Sequence, residues 1–164
     1  MNITVFLADD HAIVRDGLRA LLEAQSDIRV VGEAATGREA LRRLKELSAS
    51  VVIDVAIVDI AMPEMNGIDL TREIVAALPS TAVVILSMYS TAEHVSRAFL
   101  AGARAFLAKE SAGTEVADAV RTVHAGGRYV SERVPKSGVP AATPQQTVSQ
   151  SAPPARPKNP QCKA

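Results

Sequence analysis

The chain has 164 residues, 48% of them hydrophobic, with 18 basic and 18 acidic side chains, which is enough apolar material for one packed domain. From Pro135 onward the only charged residues are Lys136, Arg156, Lys158 and Lys163, so the first 134 residues hold 14 basic and 18 acidic groups, a net charge of −4. An acidic body argues against a nucleic-acid-binding surface, the single cysteine, Cys162, excludes an internal disulfide or a Cys-based metal site, and no apolar run reaches the ~18 residues that span a bilayer. The opening Met1 to Ala8 has neither a basic leader nor a cleavage-site pattern, so a soluble cytoplasmic protein is the expectation.

In chain order, short apolar runs alternate with segments of helical period. Ile3 to Ala8 is an apolar, β-branched run ended by two aspartates. Ala12 to Ala24 follows, with Ile13, Leu18, Leu21 and Leu22 read as its apolar side. A strand is expected around Val30 and Val31. The next helix is Arg38 to Leu47, with Leu41, Leu44 and Leu47 at a spacing of three. The apolar stretch Ser48 to Ile53 fits a helix extension, a longer strand or a bulge equally well. Val55 to Val58 reads as a strand, and Ile68 to Leu78 as a helix stopped by Pro79. Ala82 to Leu86 is the next strand. Thr91 to Ala101 has an N-cap at Ser90 or Thr91 and a C-cap at Gly102. Ala105 to Ala108 is the fifth strand. Thr114 to Ala125 then groups Val116, Val120 and Val123 and ends at Gly126 and Gly127.

Near-continuous apolar strands are buried on both faces, which is the pattern of a parallel sheet covered by helices on both sides. Five βα units with right-handed crossovers predict an α/β, doubly wound, flavodoxin-like (βα)5 fold with strand order 2-1-3-4-5. Seven of the nine prolines lie from Pro135 to the end, among Ala, Ser, Gln and Thr. Such a segment cannot bury enough surface to offset its ordering entropy. The expected organisation is a domain over 1–134 and a disordered tail over 135–164.

In open α/β sheets ligands sit beyond the C-terminal strand ends. Strand 1 ends in Asp9 and Asp10, strand 3 in Asp59, strand 4 in Ser87 and strand 5 at Lys109. Three close carboxylates repel unless a cation sits among them, and oxygen ligands with room for water suit Mg²⁺. With a metal present, a carboxylate can be the nucleophile toward a phosphoryl group, and positioning and charge neutralisation supply most of the catalysis. Each residue also has a plainer reading. An aspartate at a strand end caps helices and turns, a lysine is usually solvated, Ser87 could bond nearby backbone, and Phe106 could be a core aromatic.

Together these residues resemble the receiver domains of bacterial two-component response regulators. The resemblance is carried by Asp9-Asp10, by Asp59 to Gly67 with Met62-Pro63 inside it, by Ser87, and by Phe106 to Lys109. Asp9-Asp10-His11, Arg15 to Gly17 and Gly126 to Tyr129 are similar to the LuxR-type subclass. The resemblance covers about residues 1–134. It implies that Asp59 accepts a phosphoryl group from a sensor histidine kinase. It implies Mg²⁺ ligation by the Asp10 and Asp59 carboxylates and the Ala61 backbone carbonyl, with Asp9 acting mainly through water. Lys109 and Ser87 would contact the phosphoryl oxygens. Ser87 and Phe106 would form a coupled switch altering the face of the fourth helix, fifth strand and fifth helix. Homodimerisation and a link to transcription regulation are further implications, as is slow self-dephosphorylation rather than enzyme turnover.

A LuxR-type regulator continues into a helix-turn-helix domain. After residue 134 nothing has the apolar period of one beyond the faint likeness of Ala142 to Gln146, so the sequence gives no support for DNA binding by this chain. Three other functions were weighed. An aspartyl-phosphate phosphohydrolase of the haloacid-dehalogenase kind would carry a second acid two residues after the nucleophile, where this chain has Ala61. A flavin or nucleotide binder would need a phosphate loop after strand 1, where Asp9-Asp10-His11 stands instead. An unphosphorylated decoy is opposed by the intact acidic set and favoured by the missing output domain, and a stand-alone receiver and a truncated transcriptional regulator both fit this sequence. His11 reads as a loop residue tuning the pocket, and His94 and His124 as surface or satisfied histidines.

Overall fold

The computed structural model describes residues 2–140. Its elements are β1 (Ile3–Ala8), α1 (Ala12–Glu23), β2 (Ile28–Ala34), α2 (Gly37–Leu47), β3 (Val55–Asp59), α3 (Gly67–Ala77), β4 (Ala82–Ser87), α4 (Ala92–Ala101), β5 (Ala105–Ala108), α5 (Ala112–His124) and β6 (Tyr129–Val130). The strands form one parallel sheet in the order β2-β1-β3-β4-β5-β6. The flavodoxin-like order 2-1-3-4-5 therefore holds. A sixth, two-residue strand is added at the edge, too short to leave a period in the sequence.

Alternation along the strands builds two cores. Val5, Leu7, Val55, Ile57 and Leu107 face α1 and α5, where Leu18, Leu22, Val116 and Val120 meet them. Phe6, Ala8, Val58, Ile85 and Phe106 face α2, α3 and α4, against Leu44, Leu70, Ile74 and Val95. The apolar side assigned to the first helix is corrected here. Leu18 and Leu22, four residues apart, form the buried stripe, whereas Ile13 is 87% exposed and Leu21 also faces solvent. Ser48 to Ile53 neither extends the helix nor lengthens the strand. It is a turn closed by the Val51 amide on the Leu47 carbonyl, with Ile53 buried.

Side-chain caps start three helices: Thr36 for α2, Asn66 for α3 and Thr91 for α4. Gly102 ends α4 in the left-handed region at φ 114°. α5 begins two residues before its expected start, after a 3-10 turn over Lys109–Ser111.

The packed chain runs past the composition break. Of the tail read as disordered over 135–164, residues 135–140 are ordered, and 141–164, with Cys162, lie outside the described residues. Val134 is buried, Val139 packs on the α4-side core, and a 3-10 turn over Lys136–Gly138 lies against α4. The Arg128 guanidinium sits 5.0 Å over the Phe99 ring and donates to the Pro140 carbonyl. The Lys136 ammonium donates to the Ser131 carbonyl. A Cβ on Gly138 would run into the Ala92 backbone. Few apolar residues suffice because Val134 and Val139 join a core that α4 already supplies.

Substituting Gly138→Ala should therefore lift this strap from α4. Limited trypsin digestion should cut faster after Arg133 and Lys136 than in the parent, with the sheet's circular dichroism retained. Equal cutting rates would show that the close approach at Ala92 does not hold the strap.

Candidate functional site

β1 and β3 are neighbours, with Ala8 paired to Val58. Asp9 and Asp59 thus fall side by side at the C-terminal strand ends, and each is 1% exposed. Asp9 is anchored by its amide on the Ala34 carbonyl at the end of β2. Its Oδ1 accepts from the His11 amide at 2.7 Å, which folds the loop back. Asp59 Oδ1 accepts from the Ala61 amide at 3.2 Å.

The turn after β3 is held by the Gly67 amide on the Ile60 carbonyl. A Cβ on Gly67 would strike the Asp59 carbonyl and the Ile60 Cα, so only glycine lets α3 close on this strand end.

Lys109 leaves the end of β5, and its side chain, 6% exposed, reaches the two acids. The ammonium donates to Asp59 Oδ2 at 2.9 Å and to Asp9 Oδ1 at 3.3 Å. Asp9 Oδ2 lies 3.1 Å from the same nitrogen but out of line, so this buried oxygen accepts no hydrogen bond. His11 Nδ1 stands 3.1 Å from Lys109 Nζ and 3.1 Å from Asp10 Oδ1. Asp9, Asp10, His11 and Asp59 bring four potential metal-ligand atoms within 4.8 Å of one another.

Residues 5–121 match the family model of the response regulator receiver domain. The chain belongs to the response regulator receiver domain family. It is 43% identical over 125 residues to the uncharacterized transcriptional regulatory protein YhcZ of Bacillus subtilis, covering 76% of this chain and 56% of that protein. It is 39% identical over 131 residues to the DNA-binding transcriptional activator DevR/DosR of Mycobacterium tuberculosis, covering 80% and 58%. The chain thus spans little more than half the length of these curated relatives. Among solved structures it resembles a LuxR-family two-component response regulator from Aurantimonas sp. SI85-9A1, at 32% identity and a TM-score of 0.75 over 82% of this chain and 93% of that one. It also resembles the isolated REC domain of RcsB from Salmonella enterica serovar Typhimurium with phosphomimetic BeF3⁻, at 27% identity and a TM-score of 0.75 over 85% and 100%.

In this receiver domain burial raises the pKa of the Asp59 carboxyl above the ordinary value. The Lys109 hydrogen bond opposes the rise and the charge of Asp9 adds to it. Burial opposes the charge on Lys109, but its bonds to Asp59 and Asp9 outweigh that, so its pKa is also raised. The receiver holds a cation firmly between two acids, one of which ionises reluctantly.

The expected site residues divide. Asp9, Asp10, Asp59 and Lys109 come together. Ser87 is at the end of β4 but its hydroxyl closes a local turn, donating to the Tyr89 carbonyl at 2.6 Å and accepting from the Tyr89 amide at 2.9 Å. Phe106 is fully buried in the α4-side core. His94 pairs with Thr91 and stacks on Tyr89, and His124 Nε2 lies 3.9 Å from Asp54. A cavity of about 420 Å³ between Asp54, Arg104 and His124 lies at the opposite ends of the strands, remote from the acids.

Sequence reasoning missed a brace. Arg15 donates to the Asp9 carbonyl at 2.6 Å and to Glu33 Oε1 at 2.9 Å, and Glu33 also pairs with Arg19. Burial raises the Glu33 pKa, but the two guanidinium groups outweigh it and hold the carboxyl below the ordinary range. The only sequence signal was a glutamate interrupting an apolar strand, with two arginines a turn apart on α1.

Asp59 gives a signed pH effect. Its raised pKa means that its stabilising, protonated form is complete below the unfolded value and is lost as pH rises through the folded one. At neutral pH the Asp59→Asn variant should therefore unfold at a higher temperature than the parent, with the gap closing in acid. A lower midpoint at pH 7 would mean that Lys109 outweighs burial. Glu33 has the opposite sign, its stabilisation being present above the unfolded value and lost as pH falls through the folded one. Glu33→Gln should cost ~0.5–1 kcal/mol at pH 7 in urea unfolding, the scale of partly exposed ion pairs, and nothing in acid.

Proposed function

We propose that the chain is a phosphorylation-controlled switch of a two-component system, with Asp59 as phosphoacceptor, a sensor histidine kinase as donor and Mg²⁺ as cofactor. The observation that carries this reading is the Lys109 ammonium, buried and bonded to both Asp59 and Asp9. A plain cap aspartate or a solvated lysine would not account for that placement. The structural likeness to the RcsB REC domain with phosphomimetic BeF3⁻ supports the same chemistry.

The donor set fits a hard dication. Asp9, Asp10 and Asp59 offer oxygens within one small volume, and Asp9 Oδ2 is a buried oxygen without a hydrogen bond. The Asp10 and Asp59 carboxylates and the Ala61 carbonyl would hold the ion, with Asp9 acting mainly through water. Bound there, it would neutralise the carboxylates and the incoming phosphoryl oxygens.

The Asp59 carboxylate is the nucleophile. Its oxygen forms a bond to phosphorus as the donor's P–N bond breaks, and the electron pair leaves with the imidazole nitrogen. Lys109 passes from the Asp59 carboxylate to a phosphoryl oxygen. The Ser87 hydroxyl exchanges the Tyr89 carbonyl for another phosphoryl oxygen, which loosens the turn at the start of α4 and repacks Phe106 against it. Slow hydrolysis of the acyl phosphate resets the switch.

Intact mass after incubation with acetyl phosphate and Mg²⁺ tests this reading. The parent should gain one phosphoryl group, and Asp59→Asn, or the parent without Mg²⁺, should gain none. A parent left unlabelled where an ordinary receiver domain is labelled would overturn the phosphoacceptor assignment and favour an unphosphorylated interaction protein.

A further inference from the structure

We infer that His11 is a nitrogen ligand of the acidic pocket, shifting its preference from Mg²⁺ toward first-row transition dications such as Mn²⁺. This rests on the reading that the pocket holds a dication.

The argument starts from the ammonium of Lys109, the positive charge at the centre of the cluster. Asp59 Oδ2, Asp9 and His11 Nδ1 stand within 3.3 Å of it. An ammonium only donates hydrogen bonds. The contact with His11 places the ring nitrogen inside the cluster, where it also lies 3.3 Å from Asp9 Oδ1. One imidazole nitrogen and the carboxylates converge on a single cationic point, and Asp10 Oδ1 lies 3.1 Å from that nitrogen.

Three further observations support the role. The His11 amide bonds Asp9 Oδ1, which tethers the root of the ring beside the acids. His11 occupies the N-cap position of α1 but makes no side-chain cap bond, so the ring is not committed to the helix. Its side chain is 59% exposed, which leaves solvent access for water ligands. His94 and His124 are paired elsewhere and compete poorly for the same ion.

Ligand type then decides preference. Mg²⁺ demands near-ideal oxygen geometry and dehydrates reluctantly. Imidazole adds little for Mg²⁺ but favours later divalent metals. The opposite arrangement is a protonated ring donating Nδ1–H to Asp10 and Asp9, which would repel every dication.

The test uses the full chain with Mn²⁺, read by electron spin-echo modulation, and calorimetric titration with Mg²⁺ and Mn²⁺ in parallel. The parent should show a ¹⁴N coupling on Mn²⁺ that becomes a ¹⁵N coupling when the protein is grown with ¹⁵N-histidine. His11→Ala should lose it, and its Mn²⁺ affinity should fall about tenfold relative to Mg²⁺, the scale of a lost metal-site partner. His11→Asn, of similar polarity, should behave like His11→Ala. Mn²⁺ bound without nitrogen coupling would overturn the inference and leave the dication reading intact. Tighter binding of both ions in His11→Ala would also overturn it, in favour of the protonated ring. A parent that binds neither ion would overturn both readings.

Discussion

Two carboxylates, Asp9 and Asp59, are buried side by side at the ends of adjacent strands, an arrangement that is costly unless a cation is among them. Lys109 is the cation the chain itself supplies, and much of the architecture serves to deliver it. It starts from β5, two strands away from Asp59, and reaches across the end of β4. The turn over Lys109–Ser111 and the register of β4 with β5 set where its nitrogen stands. Burial opposes the charge on Lys109, and its bonds to Asp59 and Asp9 outweigh that cost.

The scaffold supports that point from several sides. A sheet buried on both faces fixes the strand ends. Gly67 lets α3 approach Asp59, and Gly37 lets α2 approach the Met65 carbonyl in the same loop. Arg15 ties the Asp9 carbonyl to Glu33 on β2. These contacts act on backbone rather than on the Asp59 carboxylate, so they set position without adding charge there.

One core joins β5, α4 and the chain after β6. β6 pairs with β5 at Phe106, and the Ser131 amide bonds the Phe106 carbonyl. From there the strap of residues 134–140 crosses α4. Phe106, α4 and the strap share one core, through which the proposed switch would act.

Much of this was legible in the residues alone. Apolar runs ended by acids, hydroxyl and lysine identify the strands and the polar groups at their tips, because two-sided burial and strand termini leave local signatures. The alternation of strand and helix, with right-handed crossovers, narrows the sheet order to a few topologies. Three features were decided only by tertiary structure. The Ser87 hydroxyl turns to Tyr89, Ile13 faces solvent although it lies in an apolar pattern, and residues 135–140 pack despite their composition. Each depends on partners that no local period encodes: the Tyr89 carbonyl, the sheet core that takes Leu18 and Leu22, and the α4-side core that exists only after the helices have packed.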